Sequence, residues 1–333
     1  MSARSADRSG QRWVVAALAL LVLGGLVGIP ALGVGPNLVR MLLVTLIWVV
    51  TSLAWNLLGG VTGQVSFGLA VFYGLGAYAT ALSINAGAHA YLALLAGGLA
   101  AAAGSVVVGL PTFRLRGAYF AIATIGVNEA VRIVMANLEA TGGASGYRIL
   151  ESGPFNQAEQ YHAALGAALF AFLVSWAVMR SRFGLALRAI REDQDAAADL
   201  GVYAFGHKLG VHAIAAYLTG LAGGTFARYS AYIHPDGVFS FATSVSILLM
   251  PVIGGVGTLL GPVIGAVVYG AVQEELIVRF PQFHLLLYGV LLILIILFEP
   301  RGVMGLAGRL WQIARRRVQG ARQRETLRAE VEP

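Results

Sequence analysis

The 333 residues are 58% hydrophobic and only 12% charged, with a mean hydropathy of +0.75, against about 45–50% apolar and about 25% charged for ordinary soluble domains. That balance excludes a soluble globular fold and fits an all-α, polytopic transmembrane bundle in which 43 glycines let helices approach closely. The formal charge of +7 comes from 22 Arg and one Lys at helix ends and in tails, which suits orientation and anionic lipid rather than nucleic acid, and the absence of cysteine excludes disulfides and thiolate chemistry.

Crossing a hydrocarbon core takes about 20 apolar residues. Runs of that size predict ten spans, at 13–29, 38–58, 66–84, 91–110, 117–136, 161–179, 209–230, 241–256, 260–277 and 284–298. The chain then divides into a tail at 1–12, a transmembrane domain at 13–298 carrying a loop at 180–208, and a basic tail at 299–333. Placing the N-terminus inside puts 18 of the 23 basic residues in 1–12, 111–116, 180–208 and 299–333, so both termini are expected in the cytoplasm. The first span follows Arg4, Arg8 and Arg12 as a signal peptide would, but no small-x-small site follows it, and a retained helix is expected.

Between the second and third spans, Asn56, Gln64 and Ser66 flank glycines whose unwound backbone could meet an amino acid's carboxylate and ammonium. The same glycines equally suit close helix packing. An internal echo links Gly59-Gly60-Val61 and the later Tyr73-Gly74 to Gly254-Gly255-Val256 and Tyr269-Gly270, with a one-residue difference in spacing; glycine breaks in corresponding places of two halves point to a transport pathway.

The fifth span is interrupted by Asn128, Glu129 and Arg132. Glu129 and Arg132 stand i, i+3 and can pair on a face looking into the bundle or a wet path, either as pathway lining or as a packing ion pair. The outer loop 137–160 carries Glu139, Glu151 and Glu159 against Arg148 alone. Within it, Gly143, Ser145 and Gly146 form the GxSG pattern of intramembrane serine proteases, yet no apolar helix follows Ser145.

The segment SRFGLALRAIREDQDAAADLG (181–201) is too polar to span. Leu187, Ile190, Ala197 and Leu200 predict a helical stripe, while Arg188, Arg191, Glu192, Asp195 and Asp199 supply a charged face. Docking on a soluble partner and lying on the membrane both fit that pattern, with Gly201 free to turn the chain. Further on, the tail from 301 holds eight arginines and is expected near anionic headgroups, with no transport role. The six histidines include no i, i+4 pair, so no metal or other cofactor is expected.

Asp195-Ala196-Ala197, three residues and then Gly201 resemble the EAA…G coupling loop of ABC importer permeases, with Asp in place of the usual Glu. The segments NLLGGVTGQVSFG (56–68), LRGAYFAIAT (115–124) and LLMPVIGGVGTLLGP (248–262), with FEPRG at 298–302, resemble the LivM branch of the branched-chain amino acid permeases. Departures from that pattern include Pro251 and the polar run 126–129. The resemblance implies a non-enzymatic transport subunit of the bacterial plasma membrane. It further implies a LivH-like second permease, two ABC ATPases and an extracytoplasmic substrate-binding protein as partners.

Consistently, no Walker A sequence is present: in 201–209 the lysine, Lys208, comes one place late and no Ser or Thr follows it. The expected function is import of branched-chain or related hydrophobic amino acids. Coupling to the ATPases would fall to Arg188, Arg191, Glu192, Asp195, Ala196, Ala197 and Gly201, and the pathway to Asn56, Gln64, Ser66, Asn128, Glu129 and Arg132. The alternatives are an ABC permease for urea or amides, an ion-coupled transporter using Glu129 and Asp236, and a protease built on Ser145.

Overall fold

The computed structural model describes residues 24–150 and 156–279, together with 283, 286–287, 289–290, 293, 297 and 302–305. Helix α1 (Pro36–Trp55) starts on a proline, whose missing N–H is no loss in a first turn, and runs directly into a π-helical segment, Asn56–Val61. Helix α2 (Leu69–Asn85) follows, then α3 (Ala90–Thr112), α4 (Ala118–Asn137) and α5 (Gln157–Arg180). The polar loop contains α6 (Arg182–Glu192) and α7 (Gln194–Asp199). Helices α8 (Ala204–Ser230), α9 (Pro235–Val238), α10 (Phe241–Gly254) and α11 (Gly261–Arg279) complete the described order. Two short strands, β1 (Tyr147–Arg148) and β2 (Tyr232–Ile233), pair antiparallel with Tyr147 opposite Ile233.

Six helical stretches are long and apolar enough to cross a membrane: 36–61, 90–112, 118–137, 157–180, 204–230 and 235–254. Helix α2 and the apolar part of α11 (261–273) are shorter. These eight match the second to ninth expected spans, whereas 13–29 and 284–298 fall largely outside the described residues. Helix α10 alone, at 1.5 Å per residue, measures about 21 Å against a core of about 30 Å. The crossing therefore includes α9, and the stretch begins at Pro235.

Helices α2, α3 and α8 pack most closely, through small residues. A Cβ on Gly76 would fall on the backbone of Gly220, and one on Gly223 on the backbone of Tyr73. Where lipid offers no hydrophobic contrast, such backbone approach is the source of helix association. Helix α1 lies against α5, α8 and α11, and Leu43, Ile47, Val50 and Leu53 bury its inner face. In contrast, α4 leaves Tyr119, Ile122, Ile133 and Val134 exposed.

The 181–201 segment is two helices, not one stripe. Asp193 adopts extended backbone (φ −155, ψ 117), and its carboxylate accepts from the N–H groups of Asp195 (2.8 Å) and Ala196 (2.9 Å), starting α7 afresh. Leu187, Ile190 and Ala197 are buried as their periodicity predicts, but Leu200 is 85% exposed. The in-phase reading fails there because α7 ends at Asp199 and Gly201, at φ +85, turns the chain.

Candidate functional site

The helices run between two ends. Gln157 Nε2 donates to Pro36 O (2.8 Å), placing the starts of α1 and α5 together, while the π segment, the end of α5 and the start of α8 meet α6 and α7 at the other end. Both glycine-rich breaks lie at the α6 end, and the fold joins them. Asn56 is fully buried; its Nδ2 donates to Thr258 O (2.8 Å) and its Oδ1 accepts from Gly257 N–H (2.7 Å). The two ends of one amide thus stitch the α1–α2 break to the α10–α11 break.

Arg191 reaches this junction from α6. Its guanidinium donates to Gly60 O within the π segment, and a Cβ on Gly63 or Gly257 would press on its side chain. The sequence pattern puts Arg191 on a charged face; the structure turns its head onto the chain's own backbone. Arg188 behaves similarly, donating to Met179 O at the end of α5 (3.1 Å), where a cation also meets the negative end of the helix dipole. Ser66 Oγ accepts from Gly68 N–H (3.2 Å), and Ser66 O accepts from Trp55 Nε1 (2.9 Å). Gln64 is half-buried, and its backbone N–H donates to Leu58 O (3.0 Å).

Around the junction, Glu192, Asp195, Ala196 and Gly201 are exposed and Ala197 is buried. Asp195 pairs with Arg116 at 3.0 Å, both well exposed, a geometry worth little in water. The hydrogen bonds from Ala196 and Asp195 hold the Asp193 carboxyl below the usual carboxylate range, with Arg116 nearby adding to the effect. Lys208, buried in α8, donates to Gln194 Oε1. In the same loop, Leu185, Leu200 and Tyr203 are largely exposed. That apolar group was missed because Leu200 was assigned to the buried stripe and the others were scattered.

At the opposite end, Arg132 gathers Glu129 and Asp236. Its Nε donates to Glu129 Oε2 (2.9 Å), and its Nη1 pairs with Asp236. The cluster joins α4 to α9 and carries one formal negative charge. Asn128, buried one residue earlier, donates through Nδ2 to Phe239 O (2.7 Å), while its Oδ1 has no partner among the described residues.

His234 Nδ1 accepts from Asp236 N–H (3.2 Å), so Nε2 carries the proton and donates to Ala144 O (2.7 Å). Both ring nitrogens of His234 are thereby occupied, so His234 is not free to serve as a base for Ser145, whose carbonyl accepts from Tyr232 OH. Among the described residues no group of three His, Cys, Asp or Glu is placed to hold a metal.

A cavity of about 360 Å³ reaches from Trp48 on α1 to β2 and His234 at that same end. Trp48, Tyr73, Phe226, Val238 and Tyr269 form much of its wall. Trp48 and Tyr269 meet edge to face at 6.0 Å, and Tyr269 OH donates to Ser246 Oγ (2.6 Å). None of these aromatics stood out in the sequence as a site; the Tyr-Gly echo at 73 and 269 was the available signal.

The chain matches the family described as branched-chain amino acid transport system / permease component over residues 37–296. It is 31% identical over 268 residues to the high-affinity branched-chain amino acid transport system permease protein LivM of Escherichia coli, and equally to that of Salmonella typhimurium. Each match covers 71% of this chain and 63% of the relative, so the chain spans less than two thirds of their length. No solved structure matches significantly. Six membrane-length apolar helices and a family match running from the start of α1 to beyond α11 agree: the chain is a multi-pass membrane protein belonging to the branched-chain amino acid transport system permease family.

Proposed function

We propose that this chain is the permease subunit of an ATP-driven ABC importer for branched-chain or related hydrophobic amino acids, set in a bacterial plasma membrane with the α6–α7 end in the cytoplasm. The observation that carries the reading is the bond from Arg191 to Gly60. It ties a polar surface helix directly to the junction that Asn56 closes between two glycine-rich breaks. A load applied to α6 is delivered to the backbone of the spans, as a passive gate moved by an external motor requires.

A soluble partner suits the α6–α7 surface better than lipid does. Glu192, Asp193, Asp195 and Asp199 are exposed there, in the same loop as Leu185, Leu200 and Tyr203, and anionic headgroups would repel those acids. On this account two ABC ATPases grip this face, and the basic tail at 299–333 meets anionic lipid. A LivH-like permease covers the exposed side of α4, where the half-exposed Glu129–Arg132–Asp236 cluster is poorly suited to hydrocarbon. A substrate-binding protein docks at the β1–β2 end.

Reconstitution with these partners tests the assignment. Leucine uptake requiring ATP and the loaded binding protein is expected. Uptake by the isolated chain down a proton or sodium gradient, with no ATPase present, would overturn it and restore the ion-coupled reading of Glu129 and Asp236.

A further inference from the structure

The two halves of the internal echo converge twice. At the α6 end their glycine runs are joined through Asn56; farther along the same helices, Tyr73 and Tyr269 line one cavity. The correspondence continues backwards, since Trp48 and Thr243 each stand eleven residues before the glycine pairs at 59 and 254, and both line that cavity. The glycine of each Tyr-Gly pair is packed on a neighbour, Gly74 against Phe239 and Gly270 against Thr45. Each tyrosine is therefore carried by a helix seated closely on its surroundings. One pair of wall positions at equal offsets from the two breaks, and a second pair, the tyrosines, at offsets differing by one residue, place the cavity between the repeated halves, where transporters of internal symmetry hold substrate.

We propose that this cavity is the chain's substrate subsite, taking the apolar side chain of a zwitterionic α-amino acid during passage. This deepens the importer reading and rests on it. The volume, about 360 Å³, lies at the small end of ligand pockets, and the wall is mainly aromatic and aliphatic with few polar groups, as such pockets are. Those groups suit an amino acid's polar end. The indole N–H of Trp48 is buried and has no acceptor among the described residues, a donor that a carboxylate satisfies. On the other side, His234 and Gly237 of the wall flank Asp236. With Arg132 in place, the Glu129–Arg132–Asp236 cluster next in sequence keeps one net negative charge, which favours an ammonium at that end of the cavity without displacing the guanidinium. A lipid acyl chain would use the apolar wall but neither polar feature.

The decisive experiment uses the assembled importer in proteoliposomes, with photoreactive leucine bearing a side-chain diazirine and, separately, phosphatidylglycerol bearing a diazirine in its acyl chain. Labelling is scored by mass spectrometry with and without ATP. The leucine probe is expected to mark Trp48, Tyr73, Phe226 or Tyr269, and excess leucine to suppress the mark at least fivefold. A cavity marked only by the lipid probe, or leucine label confined elsewhere, overturns the subsite.

Two substitutions give an independent reading. Ala242→Phe, which narrows the cavity, is expected to lower leucine uptake about tenfold relative to alanine, and Phe226→Ala to raise phenylalanine uptake relative to leucine, in the range that pocket size confers. Equal loss for every amino acid in both variants counts against the proposal. Absence of ATP-dependent uptake in the unsubstituted complex refutes the importer reading instead. ATP-driven uptake with an unlabelled cavity refutes the subsite alone.

Discussion

Replacing Arg191 by alanine removes one charge-assisted, part-buried hydrogen bond to Gly60 O from a residue that is exposed as a whole. Such bonds are worth about 1.5–3 kcal/mol when dry; exposure to water reduces this one to about 1 kcal/mol. If the bond carries the stroke from α6 to the junction, that energy corresponds to about a fivefold fall in amino acid taken up per ATP hydrolysed. The assay is paired measurement of uptake and phosphate release in proteoliposomes, with subunit assembly checked on the same material. Arg188→Ala is the control. It removes a comparable bond, to Met179 O, on the same helix but away from the junction, and should leave the ratio of uptake to hydrolysis near its original value. A normal ratio in Arg191→Ala, or an equal defect in both variants, refutes transmission through Gly60.

Gly201→Ala and Gly257→Ala place alanine at similar left-handed conformations (φ +85 and +78) and should cost similar backbone strain, about 1–2 kcal/mol. Only Gly257 faces Arg191 and Gly60, so uncoupled hydrolysis is expected in that variant alone. The Asp193 cap predicts a pH dependence of defined sign. Because the folded carboxyl is held below its usual range, its stabilisation of α7 is complete above the unfolded value, about 3.9, and is lost as pH falls through the folded value. Hydrogen exchange at the amides of Asp195 and Ala196 should accelerate there, beyond the intrinsic pH trend, and should lose that step in Asp193→Asn. Gly76→Leu forces side-chain atoms onto the Gly220 backbone and should abolish the folded subunit, read as loss of membrane-inserted protein. Glu129→Gln should leave insertion intact while lowering uptake several-fold; unchanged uptake removes the cluster from the pathway.

The long spans were legible because about 20 apolar residues bounded by glycine, proline or charge have few other uses. Thus 91–110 and 117–136 lie within a residue or two of α3 and α4. The division of 181–201 was hidden because Leu187, Ile190 and Ala197 stay in helical phase across it. The break comes instead from Asp193 competing for backbone N–H groups. Asn56 looked like a ligand group, yet its amide is spent on residues 257 and 258, some two hundred positions away, which no local pattern encodes. Arg191 was legible as a charge but not in its direction, because its acceptor forms only where Gly60, Gly63 and Gly257 converge.

The same distances support the proposed driven gate over an ion-coupled one. Glu129 and Asp236, the carboxylates a cation would need, are both engaged by Arg132, so binding a proton or sodium ion must compete with a guanidinium already in place. No such competition opposes movement at the other end. There the π segment replaces regular helical hydrogen bonding with the rarer i→i+5 pattern, and a single arginine links it to the surface. Trp48 stands eight residues before Asn56 on α1, about 12 Å along the helix. A rotation begun at Gly60 therefore reaches the cavity wall through one rigid element. Input at the junction, a stiff helix and an aromatic wall at its midpoint form a lever, which on the proposed reading a partner drives where Arg191 leaves α6.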